Sequence, residues 1–158
     1  MSIVFCNTTP FIALASINRV DLLPKCFGNI HVVTEVIEEC AVGGRVQVPD
    51  LYSLNWVIPI VSEPVVHTGI LLELDKGEKH TIDMAKRSQA EWVIIDEKIG
   101  RNLAEYLGLR VTGTLGILLK AKQQGWIDSF LDAVSVMQQH GIRYHPDLVL
   151  KLARSVNE

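Results

Sequence analysis

The chain has no long uninterrupted apolar run, no paired cysteines and no excess of basic charge, and each absence removes a class of protein. Uncharged stretches such as "LYSLNWVIPIVS" are short and broken by proline and polar groups, so none supplies the roughly 20 apolar residues of a spanning helix. The N-terminus lacks a basic region followed by a long apolar one; no signal peptide is expected, and the expected compartment is the cytoplasm. The three cysteines, Cys6, Cys26 and Cys40, sit inside apolar runs rather than at metal or disulfide spacings, and read as reduced core residues. His31, His67, His80, His140 and His145 show no paired spacing for zinc. No G-x-S-x-G elbow occurs. Neither Gly43-Gly44 nor the "GTLG" of Gly113 to Gly116 fits a dinucleotide fingerprint or a P-loop. A net charge of −3 argues against binding nucleic acid through gross positive charge, while leaving room for a local basic groove.

What the chain does have is apolar content, 48% of 158 residues, enough to bury a core of its own. We expect one domain over 1–158, with terminal helices from about 127 onwards. Ile3 to Cys6 reads as a strand that ends at Asn7, and Thr9-Pro10 as a helix start with Thr9 as N-cap. "RVDLLPKCF" is a short helical piece limited by Pro24. "IHVV" is a second strand, followed by "TEVIEEC" as a helix with Thr34 as cap. "NWVIPI" is a strand whose Pro59 predicts an edge position. The pattern of "LDKGEKHTIDMAKRSQA" predicts a helix over about 77–89 capped by Asp75. "EWVIID" is an apolar strand, "GRNLAEYLG" a helix, "LRVTG" a strand, and "TLGILLKAKQQG" a helix that Thr114 can cap. "IDSFLDAVSVMQQHG" and "HPDLVLKLARSV" are the terminal helices.

Apolar strands alternating with helices predict an α/β fold, a parallel sheet covered on both faces. Such sheets take ligands beyond the carboxyl ends of their strands. That rule selects Asn7, the acids Glu35, Glu38 and Glu39, Asp96 with Glu97, and the "VTGT" turn. Carboxylates with no thiol or histidine set among them suit a hard cation such as Mg²⁺ or Mn²⁺, which activates water and neutralises phosphate charge. Phosphodiester hydrolysis is the natural reaction class. Each residue also has a plain structural role open to it: Asp96 as a helix N-cap, Glu38 and Glu39 as a solvated helix face, Glu78 as a first-turn capping acid. Trp56, Trp92 and Trp126 read as core or interface.

The order "VFCNTTPFIALASINRVDLL", "VVTEVIEEC", "LDKGEKHTIDMA" and "VIIDEKIGRNLAEYLGLRVTGTLGILLKAKQQGWI" resembles the PIN-domain proteins, within them a subgroup related to the toxin ribonucleases of toxin–antitoxin pairs. The resemblance implies a three-layer α/β/α sandwich with a central parallel sheet, a Mg²⁺- or Mn²⁺-dependent endoribonuclease site made of acids, RNA as substrate, an antitoxin protein as partner, and a homodimer. Carried over residue by residue, it puts the first-strand position at Asn7, the early-helix acid at Glu39 with Glu38 as the second choice, the central-helix acid at Glu78, and the strand-end acid at Asp96. Glu97 is an additional metal ligand in this reading, and Thr8 and Thr114 are supporting hydroxyls. Arg101 and Lys98 after Asp96, and Lys120 and Lys122 after "GTLG", are candidate phosphate contacts.

Two positions depart from the family's pattern. Asn7 stands where an aspartate is usual, which keeps a carbonyl oxygen for a metal but removes a negative charge and a base for the attacking water. His80 stands where an acid is common. Three readings follow: a weakened metal-dependent ribonuclease, a PIN-fold module that binds RNA or protein without cleaving, and an interaction module in which Asn7 only caps the following turn.

Overall fold

The computed structural model describes residues 2–66 and 68–158, so His67 lies outside the described residues. Five short strands form one sheet: β1 (Val4–Cys6), β2 (Ile30–Val33), β3 (Val57–Ile60), β4 (Trp92–Ile94) and β5 (Val111–Thr112). All neighbours are parallel and the order is β3-β2-β1-β4-β5. Strands buried on both faces need apolar residues at every position, and β1 and β4 supply them: Val4, Phe5, Cys6, Val93 and Ile94 are all buried. Pro59 lies on β3, an edge strand, where a missing N–H donor is tolerated.

Nine α-helices are found among the described residues: α1 (Thr8–Ser16), α2 (Leu22–Phe27), α3 (Thr34–Val42), α4 (Thr68–Leu71), α5 (Lys76–Arg87), α6 (Lys98–Tyr106), α7 (Thr114–Gln123), α8 (Phe130–Gln139) and α9 (Pro146–Ser155). Together with the sheet they make a three-layer α/β/α sandwich. The central helix α5 packs against β1, β2 and β4 and also meets α3, while α2 and α7 pack together. The chain winds outward from β1 to β2 and β3, returns through α5, and then winds the other way from β4 to β5. The reversal leaves a crevice between the carboxyl ends of β1 and β4, where such sheets bind ligands. Cys6 is in register with Ile94, and the Asn7 amide donates to the Ile94 carbonyl at 3.0 Å, so Asn7 and Asp96 emerge side by side from that crevice.

Three helix starts differ from expectation. Asn7, not Thr9, is the N-cap of α1, and Pro10 is its third residue; Val33 and Gly113 occupy the N-cap positions of α3 and α7, with Thr34 and Thr114 as their first residues. The reason is chemical for Thr114, whose hydroxyl donates to the Asp96 carboxylate instead of capping its own helix. Asp75 does cap α5, which runs over Lys76–Arg87 rather than 77–89, by accepting from the Glu78 amide at 2.9 Å. Glu97, not Asp96, caps α6 by accepting from the Gly100 amide at 2.7 Å. The 3₁₀ turn at Leu51–Ser53 and the short α4 were not anticipated. Cys6, Cys26 and Cys40 are all free, the first and last buried and Cys26 half-buried.

Candidate active site

Glu39 faces the carboxyl edge of the sheet from α3. Its Oε2 accepts the Thr8 hydroxyl at 2.5 Å and its Oε1 accepts the Gly77 amide at 3.0 Å, which ties α1, α3 and α5 together at one carboxylate. Gly77 makes that approach: a Cβ there would stand 2.6 Å from Glu39 Oε1. Glu38 is exposed and lines a separate hollow with Gln47 and Asp50, away from Thr8 and Gly77.

Glu78 is buried in the first turn of α5, and its Oε2 has no hydrogen-bond partner among the described residues. It lies against the start of α6, since a Cβ on Gly100 would come within 2.6 Å of that oxygen and 3.6 Å of Glu97 Oε2. Burial, and then the nearby Asp75, Glu97 and Glu39, push the Glu78 carboxyl up to about 8.

Asp96 is held by three donors. Its Oδ1 accepts the Thr114 amide at 2.7 Å, and its Oδ2 accepts the Thr114 hydroxyl at 2.6 Å and the Tyr144 hydroxyl at 3.0 Å. Burial and the Asp96 charge raise the Tyr144 hydroxyl well above its ordinary value, so it stays a donor. Arg101 donates to the Ile95 carbonyl at 3.0 Å, and a Cβ on Gly113 would meet both Arg101 Nη1, at 2.7 Å, and Asp96 Oδ1, at 2.8 Å. Arg101 and Lys98 line a hollow beside Asp96. Lys120 and Lys122 do not join them: Lys120 is exposed further along α7, and Lys122 donates to the Asp128 carbonyl and pairs with Glu158.

Asn7 is only 3% exposed and its Oδ1 has no partner among the described residues. It occupies the N-cap position of α1 with extended backbone, yet its side chain accepts no backbone N–H. The reading of Asn7 as a turn cap is therefore corrected; the amide oxygen is left free at the crevice.

Sequence reasoning missed two groups, Tyr144 and Asp83. Tyr144 sits two residues before Pro146 in a connection, with no periodicity to mark its hydroxyl as a carboxylate partner. Asp83 is fully buried and accepts from the Val66 amide at 3.0 Å and from Arg87 Nε at 2.7 Å, pinning the segment after β3 onto α5. Its only sequence signal is the Asp-to-Arg spacing of four in "DMAKR". Beside Glu39, Glu35 accepts the Ser62 hydroxyl at 2.5 Å and stands 3.7 Å from His80 Nε2, so His80 faces an acid one helical turn before Glu39.

Among the described residues no three His, Cys, Asp or Glu side chains stand together as a ready metal cage. The donor chemistry still fits a hard divalent cation. Asn7 Oδ1 and Glu78 Oε2 are buried oxygens without a donor, which is costly unless something electropositive meets them. Burial is the main cause that raises Glu78, and a cation would offset the lesser one, the crowding by Asp75, Glu97 and Glu39.

A parallel sheet with acids at its carboxyl edge defines the class, an α/β/α fold of nuclease type. The chain belongs to the PIN-domain family: the model of the DUF3368 family, described as a PIN domain, matches residues 3–158. Comparison with curated proteins and with solved structures yields no match.

Proposed function

We propose that the protein is a metal-dependent endoribonuclease whose site is weakened at Asn7. The single observation that carries this reading is the pair of unpartnered buried oxygens, Asn7 Oδ1 and Glu78 Oε2, at the crevice of a PIN fold. Glu39, Glu78, Asp96 and the Asn7 carbonyl would hold Mg²⁺ or Mn²⁺, with Glu97 as a further ligand. Mg²⁺ commonly keeps several waters and takes only one or two protein carboxylates, so a full cage of acids is not a requirement. The ion, when bound, activates water and offsets charge on the scissile phosphate.

The chain's own residues divide the remaining work. Thr8 and the Gly77 amide fix Glu39, and Thr114 with Tyr144 fixes Asp96, so neither carboxylate must be reoriented during reaction. Arg101 and Lys98 offer positive charge to the phosphate backbone. Glu78, raised to about 8, favours its protonated form near neutral pH, and would have to give up that proton to serve as a ligand. An antitoxin that blocks the crevice, and a homodimer, fit the same reading as partners, in keeping with the likeness to toxin ribonucleases. Among the described residues no helix is long and apolar enough to cross a membrane.

A second reading, an RNA- or protein-binding PIN module without cleavage, is favoured by the neutral amide at Asn7. One experiment separates the two: single-stranded RNA with Mg²⁺, with Mn²⁺ and with chelator, for the native chain and Asp96→Asn. The enzyme reading expects metal-dependent fragments that Asp96→Asn and chelator abolish. RNA binding without fragments under every condition leaves the binding module.

A further inference from the structure

A hollow of about 590 Å³ opens beside Asp96, between α6, α7 and α9. Its volume lies within the roughly 300–1,000 Å³ of pockets that enclose small molecules. One side is apolar and is built by Leu115 and Leu119 of α7 and by Leu148 and Leu152 of α9. Leu148 and Leu152 are one helical turn apart and share a face, and Leu148 remains 44% exposed, an apolar side chain at the open mouth of a charged site. Lys98 and Arg101 line the hollow together with Asp96, and Arg101 Nη1 and Asp96 Oδ1 would both crowd a Cβ on Gly113. The Tyr144 hydroxyl is committed to Asp96, which fixes the ring as part of the wall.

Resting on the ribonuclease reading above, we propose that this hollow is a nucleoside subsite: it seats the base of the nucleotide adjoining the scissile phosphate, with that phosphate toward Arg101 and Lys98. The match is one of shape and polarity. A base is flat and apolar on its faces, so it fits between leucines and a fixed aromatic ring, as single-stranded RNA is commonly held. Its phosphate meets the two cations, while the three donors to Asp96 keep that carboxylate in a fixed place at the border of the hollow. The hollow also adjoins the crevice, so a chain lying across Asp96 brings its neighbouring base to this opening.

The test uses the full chain with chelator present, so it does not depend on cleavage. Methyl resonances of Leu115, Leu119, Leu148 and Leu152 are followed while the four ribonucleoside 5′-monophosphates, ribose 5-phosphate and inorganic phosphate are titrated separately. The subsite predicts saturable shifts of these methyls by the monophosphates, with at least about tenfold weaker binding of ribose 5-phosphate, the worth of one stacked base. Leu148→Trp, at a position 44% exposed, should fill the mouth and weaken monophosphate binding by a similar factor, with unchanged far-UV circular dichroism as the check that it folds. Equal binding of monophosphates and ribose 5-phosphate, or no methyl shifts, overturns the subsite. RNA cleavage by the native chain with an unaltered KM in Leu148→Trp overturns it too, while leaving the ribonuclease reading intact. Monophosphate binding here without any RNA cleavage supports the hollow as a nucleotide-binding site and overturns its place beside a scissile phosphate together with the nuclease.

Discussion

Glu78 offers a perturbation whose size follows from its surroundings. Its carboxyl sits at about 8 in the folded protein against an ordinary 4.5, chiefly through burial and then through Asp75, Glu97 and Glu39. Between those two values the folded state keeps a proton that the unfolded chain has lost. Stability must therefore fall as pH rises through the interval, by up to about 1.4 kcal/mol per pH unit for one group. Below the interval both states are protonated and the penalty vanishes. Urea unfolding in chelator, followed by circular dichroism from about pH 5 to about pH 8, should show this falling limb. Glu78→Gln carries no titrating group there and should remove that part of the slope. Millimolar Mg²⁺ should restore native stability at the upper end, because an ion that binds only the folded state adds free energy by mass action. Identical slopes for the native chain and Glu78→Gln would refute the reasoning.

Three further outcomes are expected. Gly77→Ala places a Cβ on the Glu39 carboxylate and pushes it off the Thr8 hydroxyl and the backbone amide, so unfolding free energy should fall by about 1–2 kcal/mol while RNA cleavage is lost. Thr114→Val removes one of three donors to Asp96 and should cost about 1 kcal/mol in urea unfolding, with a larger fractional loss in cleavage rate than in stability. Asp83→Ala strips a fully buried acceptor from Arg87 and the Val66 amide; it should cost about 3 kcal/mol and raise proteolysis between β3 and α5, with no direct contact to the crevice.

The strand positions were legible because β1, β2 and β4 are apolar at nearly every residue, the mark of a sheet covered on both faces. Pro59 marked its own edge. Helix starts were less so, because Thr8, Thr9, Thr34 and Thr114 all look like caps in a sequence, and only the fold shows that two of these hydroxyls go to Glu39 and Asp96. The same limit applies to the acids. Adjacent Glu38 and Glu39 are equivalent in composition, and their different surroundings, solvent for one and Thr8 with Gly77 for the other, come from where α3 docks. Tyr144 was invisible for a related reason: its partner is 48 residues away, across the sheet edge.

Asn7 carries the central claim, and reversing it is the most direct measurement. Calorimetric titration of Mn²⁺ into the native chain, Asn7→Asp and Asp96→Asn, alongside RNA cleavage by the same samples, compares a restored charge with a removed one. The account predicts weak Mn²⁺ binding by the native chain, binding tighter by roughly tenfold or more in Asn7→Asp with faster cleavage, and loss of both in Asp96→Asn. Equal Mn²⁺ affinity in the native chain and Asn7→Asp, or none in any of the three, would contradict it.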